Sequence, residues 1–215
     1  MISEDGIHSA SLGDSRALLV TSEAPKVMPV TKAPNRDETK HLYPKNDTLF
    51  PVQLTKDQKP EDPEEHARIR ECGGTIKRII QNGKPSGPYR VVDSSGQYPL
   101  LAMSRSIGDS SGSSIGVIST PIYTYLPISG KEKFIVLGSD GIWDVMDNDD
   151  VAAFVETYRK KCVSEGSPPL EVNCSNTIIA HLLCEEARIR WLKVVAEEDA
   201  LIDDISAIIL QFKEE

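Results

Sequence analysis

Phe134-Ile135-Val136-Leu137-Gly138-Ser139-Asp140-Gly141-Ile142-Trp143-Asp144-Val145 is the stretch on which fold and chemistry both turn. The short, continuous apolar run at its start predicts a strand over Phe134–Ser139, buried on both faces. Asp140 follows the C-terminal end of that run and precedes Gly141. Asp144 lies four residues later, one turn away if Gly141 to Val145 is helical. A second β-rich run, Ile205 to Phe212, closes the chain, and Asp203 stands just before it. If the two strands are antiparallel neighbours, Asp140 and Asp203 meet at one sheet edge. Asp14 sits at the tip of an expected hairpin further upstream. Hard cations such as Mg²⁺ and Mn²⁺ take oxygen ligands, usually one or two carboxylates with several retained waters. Converging carboxylates would suit them. The same residues also have an ordinary reading, because Asp-Gly after a strand and Gly-Asp-Ser in a hairpin are common turn chemistry. Spacing alone favours that structural role for each aspartate.

Outward from this stretch, the chain reads as grouped strands and separate helices. Ile7–Leu12 and Ala17–Val20 flank Gly13-Asp14-Ser15 and predict two strands joined as a hairpin. Residues 21–51 hold five of the fourteen prolines and many polar residues, and read as a surface insertion. Val52–Leu54 restarts a strand. Asp62-Pro63-Glu64-Glu65 combines an N-cap, a first-turn proline and an acid three residues after the cap. The predicted helix places His66, Ile69 and Cys72 on one face and stops at Gly73-Gly74. Thr75–Ile80 is a strand leading to an Asn82-Gly83 turn. Asp149–Arg159 has helical spacing through Val151, Phe154, Val155 and Tyr158. Thr177–Ala196 is the longest helix, its period tracked by Ile178, Leu182, Cys184 or Glu185, Ile189 and Leu192. The grouping favours an antiparallel α+β layer architecture over a doubly wound one.

The 215 residues are enough for one domain with a two-layer core. A net charge of -9 argues against a nucleic-acid partner. It leaves room for a phosphorylated substrate, since bound cations supply positive charge locally. The four cysteines show no CxxC pair and read as reduced thiols of an intracellular protein. No signal peptide is visible and no apolar run approaches the roughly 18 residues of a bilayer span, so no membrane association is expected.

Seven words of the sequence, taken in order, resemble the type 2C family of metal-dependent serine/threonine protein phosphatases. They are Gly13-Asp14-Ser15-Arg16-Ala17, Leu54 to Pro60, Glu65-x-x-Arg68-Ile69 leading to Gly73-Gly74, and Leu101 to Asp109. Gly116-Val117-Ile118 before Pro121, Ser139 to Val145, and Asp203-Asp204-Ile205-Ser206 complete the set. One such word is weak; seven in register are specific.

The resemblance implies an α+β fold of two packed antiparallel β-sheets flanked by helices, an α-β-β-α sandwich incomplete at its N-terminus. It also implies hydrolysis of phosphoserine and phosphothreonine in proteins, with two or more Mg²⁺ or Mn²⁺ ions in the complete domain. Asp140 and Asp203 match ligands of the family's first metal, with Asp204 replacing the usual Asn. Asp14 and Asp144 match positions of a weaker third site. Residues from about Gly83 to Tyr98 fall where the family carries a flap. For Arg105 and Asp109 an internal salt bridge or turn at the flap's base is the better reading, Trp143 is core, and for Lys77, Arg78 and Lys84 a solvated hairpin face is a better reading than contact with a substrate phosphoprotein. The family's metal-binding Glu, phosphate-gripping Arg and Asp-Gly-His-Gly motif have no match here. Asp5-Gly6-Ile7-His8 stands in the wrong register and reads as a turn. No catalytic side chain is therefore assigned, and the general acid and phosphate-binding Arg are expected upstream. A monomer acting on phosphoproteins in the cytoplasm or nucleus is one expectation. The alternative is a catalytically dead pseudophosphatase serving as a protein-binding scaffold.

Overall fold

Strand β8 (Glu132–Gly138) lies inside a four-stranded antiparallel sheet of order β3-β2-β8-β9, with β2 Arg16–Thr21, β3 Phe50–Gln53 and β9 Ala207–Gln211. The computed structural model describes residues 1–25, 48–81, 83–164, 172–198 and 202–213. Most of the stretch expected as an insertion, residues 26–47, lies outside them. At its ends, Thr21 still belongs to β2, and Leu49 is buried just before β3. The described residues form two compact units.

The first unit comprises residues 1–9, 15–56 and 123–215, and its sheet is apolar on both faces. On one face, Leu18, Val20, Phe134, Val136 and Ile209 pack with Val151, Phe154 and Val155 of helix α4 (Asn148–Ser164) and with Ile179, Leu183 and Ala187 of helix α5 (Val172–Glu198). On the other, Ala17, Leu19, Val52 and Ile135 meet Ile7 of β1 (Gly6–Ser11) and Leu126 of β7 (Ile122–Pro127), which form a two-stranded sheet. Packed antiparallel sheets with helices are thus the architecture, as expected.

The second unit comprises residues 10–14 and 57–122. Helix α1 (Pro63–Glu71) begins where Asp62 accepts a hydrogen bond from the Glu64 N–H at 3.1 Å. It ends at Gly73, whose φ of +81° is cheap only without a Cβ. Strands β4 (Thr75–Gln81), β5 (Lys84–Val92) and β6 (Pro99–Leu101) form an antiparallel sheet, and the short helix α2 spans Ser110–Ser113. Ile69, Val91 and Val117 form its core.

Several expectations need correction. β1 and β2 are strands but not a hairpin: β1 pairs with β7, whereas β2 pairs with β3 and β8. The Gly13-Asp14 turn therefore passes between sheets instead of closing a ladder. On α1 only Ile69 of the expected trio is buried; Cys72 is exposed at the C-cap, and Glu65 is the other buried side chain. The buried stripe of α5 runs through Ile179, Leu183, Ala187 and Arg190, while Ile178, Ile189 and Leu192 are exposed. The two stripes sit one residue apart, so a weakly amphipathic sequence cannot choose between them. β8 is not buried on both faces throughout, since Leu137 is exposed. No helix among the described residues is long and apolar enough to cross a membrane.

Candidate functional site

The β8–β9 ladder runs from Phe134↔Gln211 to Gly138↔Ala207, so the end of β8 and the start of β9 lie side by side. Beyond the ladder the backbones stay joined. Ser139 N–H donates to Ser206 O at 3.1 Å, Ser139 Oγ donates to Asp204 O at 2.9 Å, and Ser206 N–H donates back to Ser139 Oγ at 3.1 Å. Asp140 and Asp203 are the next residues along these two segments. A four-residue helix, α3 (Asp140–Trp143), starts at Asp140, and Asp144 caps it with its N–H on Asp140 O at 2.8 Å.

Two glycines set how closely these segments approach. A Cβ on Gly141 would overlap the Asp204 carbonyl, so only glycine lets the Ser-Asp-Gly turn lie against residues 203–205. A Cβ on Gly138 would crowd the Trp143 indole, whose Nε1 donates to Gly138 O at 2.8 Å. Trp143 is buried as expected and receives the Arg16 guanidinium over its ring at 4.9 Å.

Asp14 belongs to the second unit, where it is buried and ion-paired with Lys59. The neighbouring Gly13 N–H donates to Gln58 Oε1 at 2.6 Å, so the Leu54-to-Pro60 segment clasps this turn. Among the described residues, no group of three or more His, Cys, Asp or Glu side chains is arranged to hold a metal. The backbone brings Asp140 and Asp203 to one edge, with Asp144 a turn away from Asp140. The donor set suits a hard cation, because residues 139–146 and 202–206 offer carboxylate, hydroxyl and carbonyl oxygens and contain neither histidine nor cysteine.

The second unit's ionic centre is Glu65, 1% exposed. It accepts from Arg105 Nη2 at 2.6 Å, Arg68 Nη2 at 2.7 Å and Ser104 Oγ at 2.5 Å. Burial pushes its carboxyl up, but these hydrogen bonds outweigh burial and hold the pKa down at about 2. Arg105 is therefore an internal ion-pair residue, as expected. From β4, Lys77 donates to Gly96 O, and Arg78 Nε donates to Gly87 O at 2.8 Å. Both cations are bonded within the second unit's own β4–β6 region.

Sequence reading missed Ser139 as a hydroxyl bridge, Lys59 as the partner of Asp14, and Trp191, which donates from α5 to Gly141 O at 2.7 Å. Ser139 had a signal, since it begins the Ser-Asp-Gly word. Trp191 had none, because only α5's packing angle brings it to the turn.

The family described as Protein phosphatase 2C matches residues 1–189. The probable protein phosphatase 2C 41 of Arabidopsis thaliana is 31% identical over 209 residues, covering 97% of this chain and 48% of that protein. The probable protein phosphatase 2C 75 of Oryza sativa subsp. japonica is 38% identical over 145 residues, covering 67% of this chain and 28% of that protein. A solved serine-threonine phosphatase 2C from Toxoplasma gondii superposes with a TM-score of 0.66 over 98% of this chain and 56% of its own, at 21% identity, a likeness of fold. The chain thus spans about half or less of the length of these curated relatives. Since the family match extends over most of the chain and includes the Ser-Asp-Gly turn, the chain belongs to the protein phosphatase 2C family.

Proposed function

We propose that the protein containing this chain hydrolyses phosphoserine and phosphothreonine esters in proteins, using divalent cations held in part by Asp140 and Asp203. The observation that carries this reading is the Ser139–Asp204–Ser206 hydrogen-bond bridge. It ties together the two segments on which these carboxylates stand. Asp144, one turn from Asp140, and Asp14 are further candidate ligands. For Asp14 this requires exchange of its Lys59 partner.

Bound Mg²⁺ or Mn²⁺ supplies concentrated positive charge for phosphoryl oxygens and makes water acidic enough to serve as a nucleophile. The chain's own part is placement. Asp140 and Asp203 contribute negative charge at one edge, and Ser139 and Gly141 fix the backbones that carry them. The chemistry needs no covalent nucleophile from the cysteines; burial raises the Cys184 thiol pKa, away from the thiolate. The acidic balance of the chain, -9, argues against a nucleic-acid partner.

The alternative is a catalytically dead scaffold that keeps the fold and binds proteins. A phosphopeptide assay of the full-length protein, with Mn²⁺ and with chelator, separates the two. Turnover that requires the metal and collapses in Asp140→Asn and Asp203→Asn is expected. A folded full-length protein without turnover shifts the reading to the scaffold, and full activity in both variants overturns the assignment of these aspartates.

A further inference from the structure

Two consecutive residues of α5 grip opposite ends of the turn that carries Asp140 and Asp144. Trp191 Nε1 donates to Gly141 O at 2.7 Å, and Arg190 Nη1 donates to Val145 O at 3.2 Å. The Gly141 carbonyl lacks its usual helical donor. Four residues on, Val145 N–H bonds to Ile142 O at 3.1 Å instead, because α3 tightens at once into a shorter-range turn. The indole N–H takes its place. Arg190 is itself buried and bonded to Asp150 Oδ2 at 2.5 Å and Glu186 Oε1 at 3.0 Å, so its reach to Val145 is fixed.

We infer that Trp191 and Ser139 are positioning residues for the cation site, the first orienting the Asp140–Asp144 turn and the second tying it to the segment of Asp203. This inference rests on the metal reading proposed above. The physical reason is the size of α3. A single turn is marginal by itself, so the direction of the first residue's carboxylate depends on contacts from outside the turn. The sheet side supplies one, through Ser139 Oγ on Asp204 O at 2.9 Å. The helix side supplies the other through Trp191. Gly141 lies between them, its Cα against the Asp204 carbonyl and its own carbonyl on the indole. Loss of either contact leaves the fold but frees the turn to rotate relative to Asp203.

The test is Mn²⁺ binding by the full-length protein, labelled with 5-fluorotryptophan. Calorimetry reads affinity, and ¹⁹F resonances read distance from the paramagnetic ion. Trp143 and Trp191 are the only tryptophans of the chain, and loss of a signal in Trp191→Phe assigns its resonance. The Trp191 signal is expected to broaden on Mn²⁺ addition and to stay sharp in Asp140→Asn. Trp191→Phe keeps a ring in the half-buried position but removes the donor. It should weaken Mn²⁺ about tenfold, the lower end of what partners behind metal ligands contribute, with the melting temperature little changed. Ser139→Ala should weaken binding likewise and Ser139→Thr should retain it. Wild-type affinity in Trp191→Phe, alongside lost binding in Asp140→Asn, overturns the inference and leaves the metal reading standing. Unchanged binding in Asp140→Asn overturns the metal reading itself. Should Trp191→Phe fail to fold, equal Mn²⁺ affinity in Ser139→Ala and Ser139→Thr overturns the proposed tie.

Discussion

Replacing Glu65 by Gln should remove about 3 kcal/mol from the second unit at neutral pH. Two routes lead to that size. A carboxyl ordinarily near 4.5 and held at about 2 in the folded chain corresponds to roughly 3 kcal/mol of preference for the ionised form. Independently, removing one member of a buried ionic cluster typically costs about 3–5 kcal/mol, because the remaining charges stay desolvated. Here they are Arg68 and Arg105, whose side chains are 22% and 13% exposed. Part of the loss is relieved because Arg68 Nε keeps Gly116 O at 2.9 Å and Arg105 Nη1 keeps Thr120 O at 2.9 Å, which favours the lower figure. The sign of the pH dependence follows. With a folded pKa below the unfolded one, the stabilisation is complete above pH 4.5 and disappears as pH falls toward 2. Urea unfolding, followed by hydrogen exchange of second-unit amides such as Ser104 N–H on Gln58 O, measures it at several pH values. The variant should differ from wild type at pH 7 and converge with it at low pH. A loss below about 1 kcal/mol at pH 7, or parallel pH curves for the two proteins, would refute an ionised Glu65 as the unit's electrostatic centre.

Gly141→Ala should cost about 1–3 kcal/mol through overlap with the Asp204 carbonyl, and should weaken Mn²⁺ binding as the two segments part. Denaturation and calorimetry check it, and an unaffected protein would mean the turn and the 203–205 segment do not touch. On α5, Leu183→Ala should cost about 2–5 kcal/mol, whereas Leu192→Ala should stay within about 0.5, as burial of the first and exposure of the second require. The reverse order in thermal denaturation would return the helix to the stripe read from sequence. Leu137, Ile208 and Leu210 form an exposed apolar row across β8 and the edge strand β9, with Leu137 opposite Ile208. Ile208→Lys with Leu210→Lys should therefore reduce concentration-dependent self-association of the isolated chain in light scattering; no change would show that this face is not sticky.

The sequence alone determined the local parts. Asp62-Pro63 starts α1 because a side-chain acceptor and a preset φ act within a few residues. The expected turn at Asn82-Gly83 includes Asn82, which lies outside the described residues. The Phe134–Ser139 run and the Ile205–Phe212 run read as strands from their apolar residues, and an antiparallel pairing that unites Asp140 and Asp203 at one edge followed from where those residues stand. What the words could not decide was partnership between distant segments. Whether β1 pairs with β2 or β7 depends on which apolar faces must be covered, and Ile7 finds its cover with Leu126 and Leu19 through the whole sheet. The stripe α5 buries is chosen by the sheet it lies on, since neighbouring stripes are almost equally apolar and Arg190 enters only because Asp150 and Glu186 receive its charge. For the same reason Trp191 carried no sign of its role: a single indole reaches the Ser-Asp-Gly turn only when long-range packing has brought helix and strand end together.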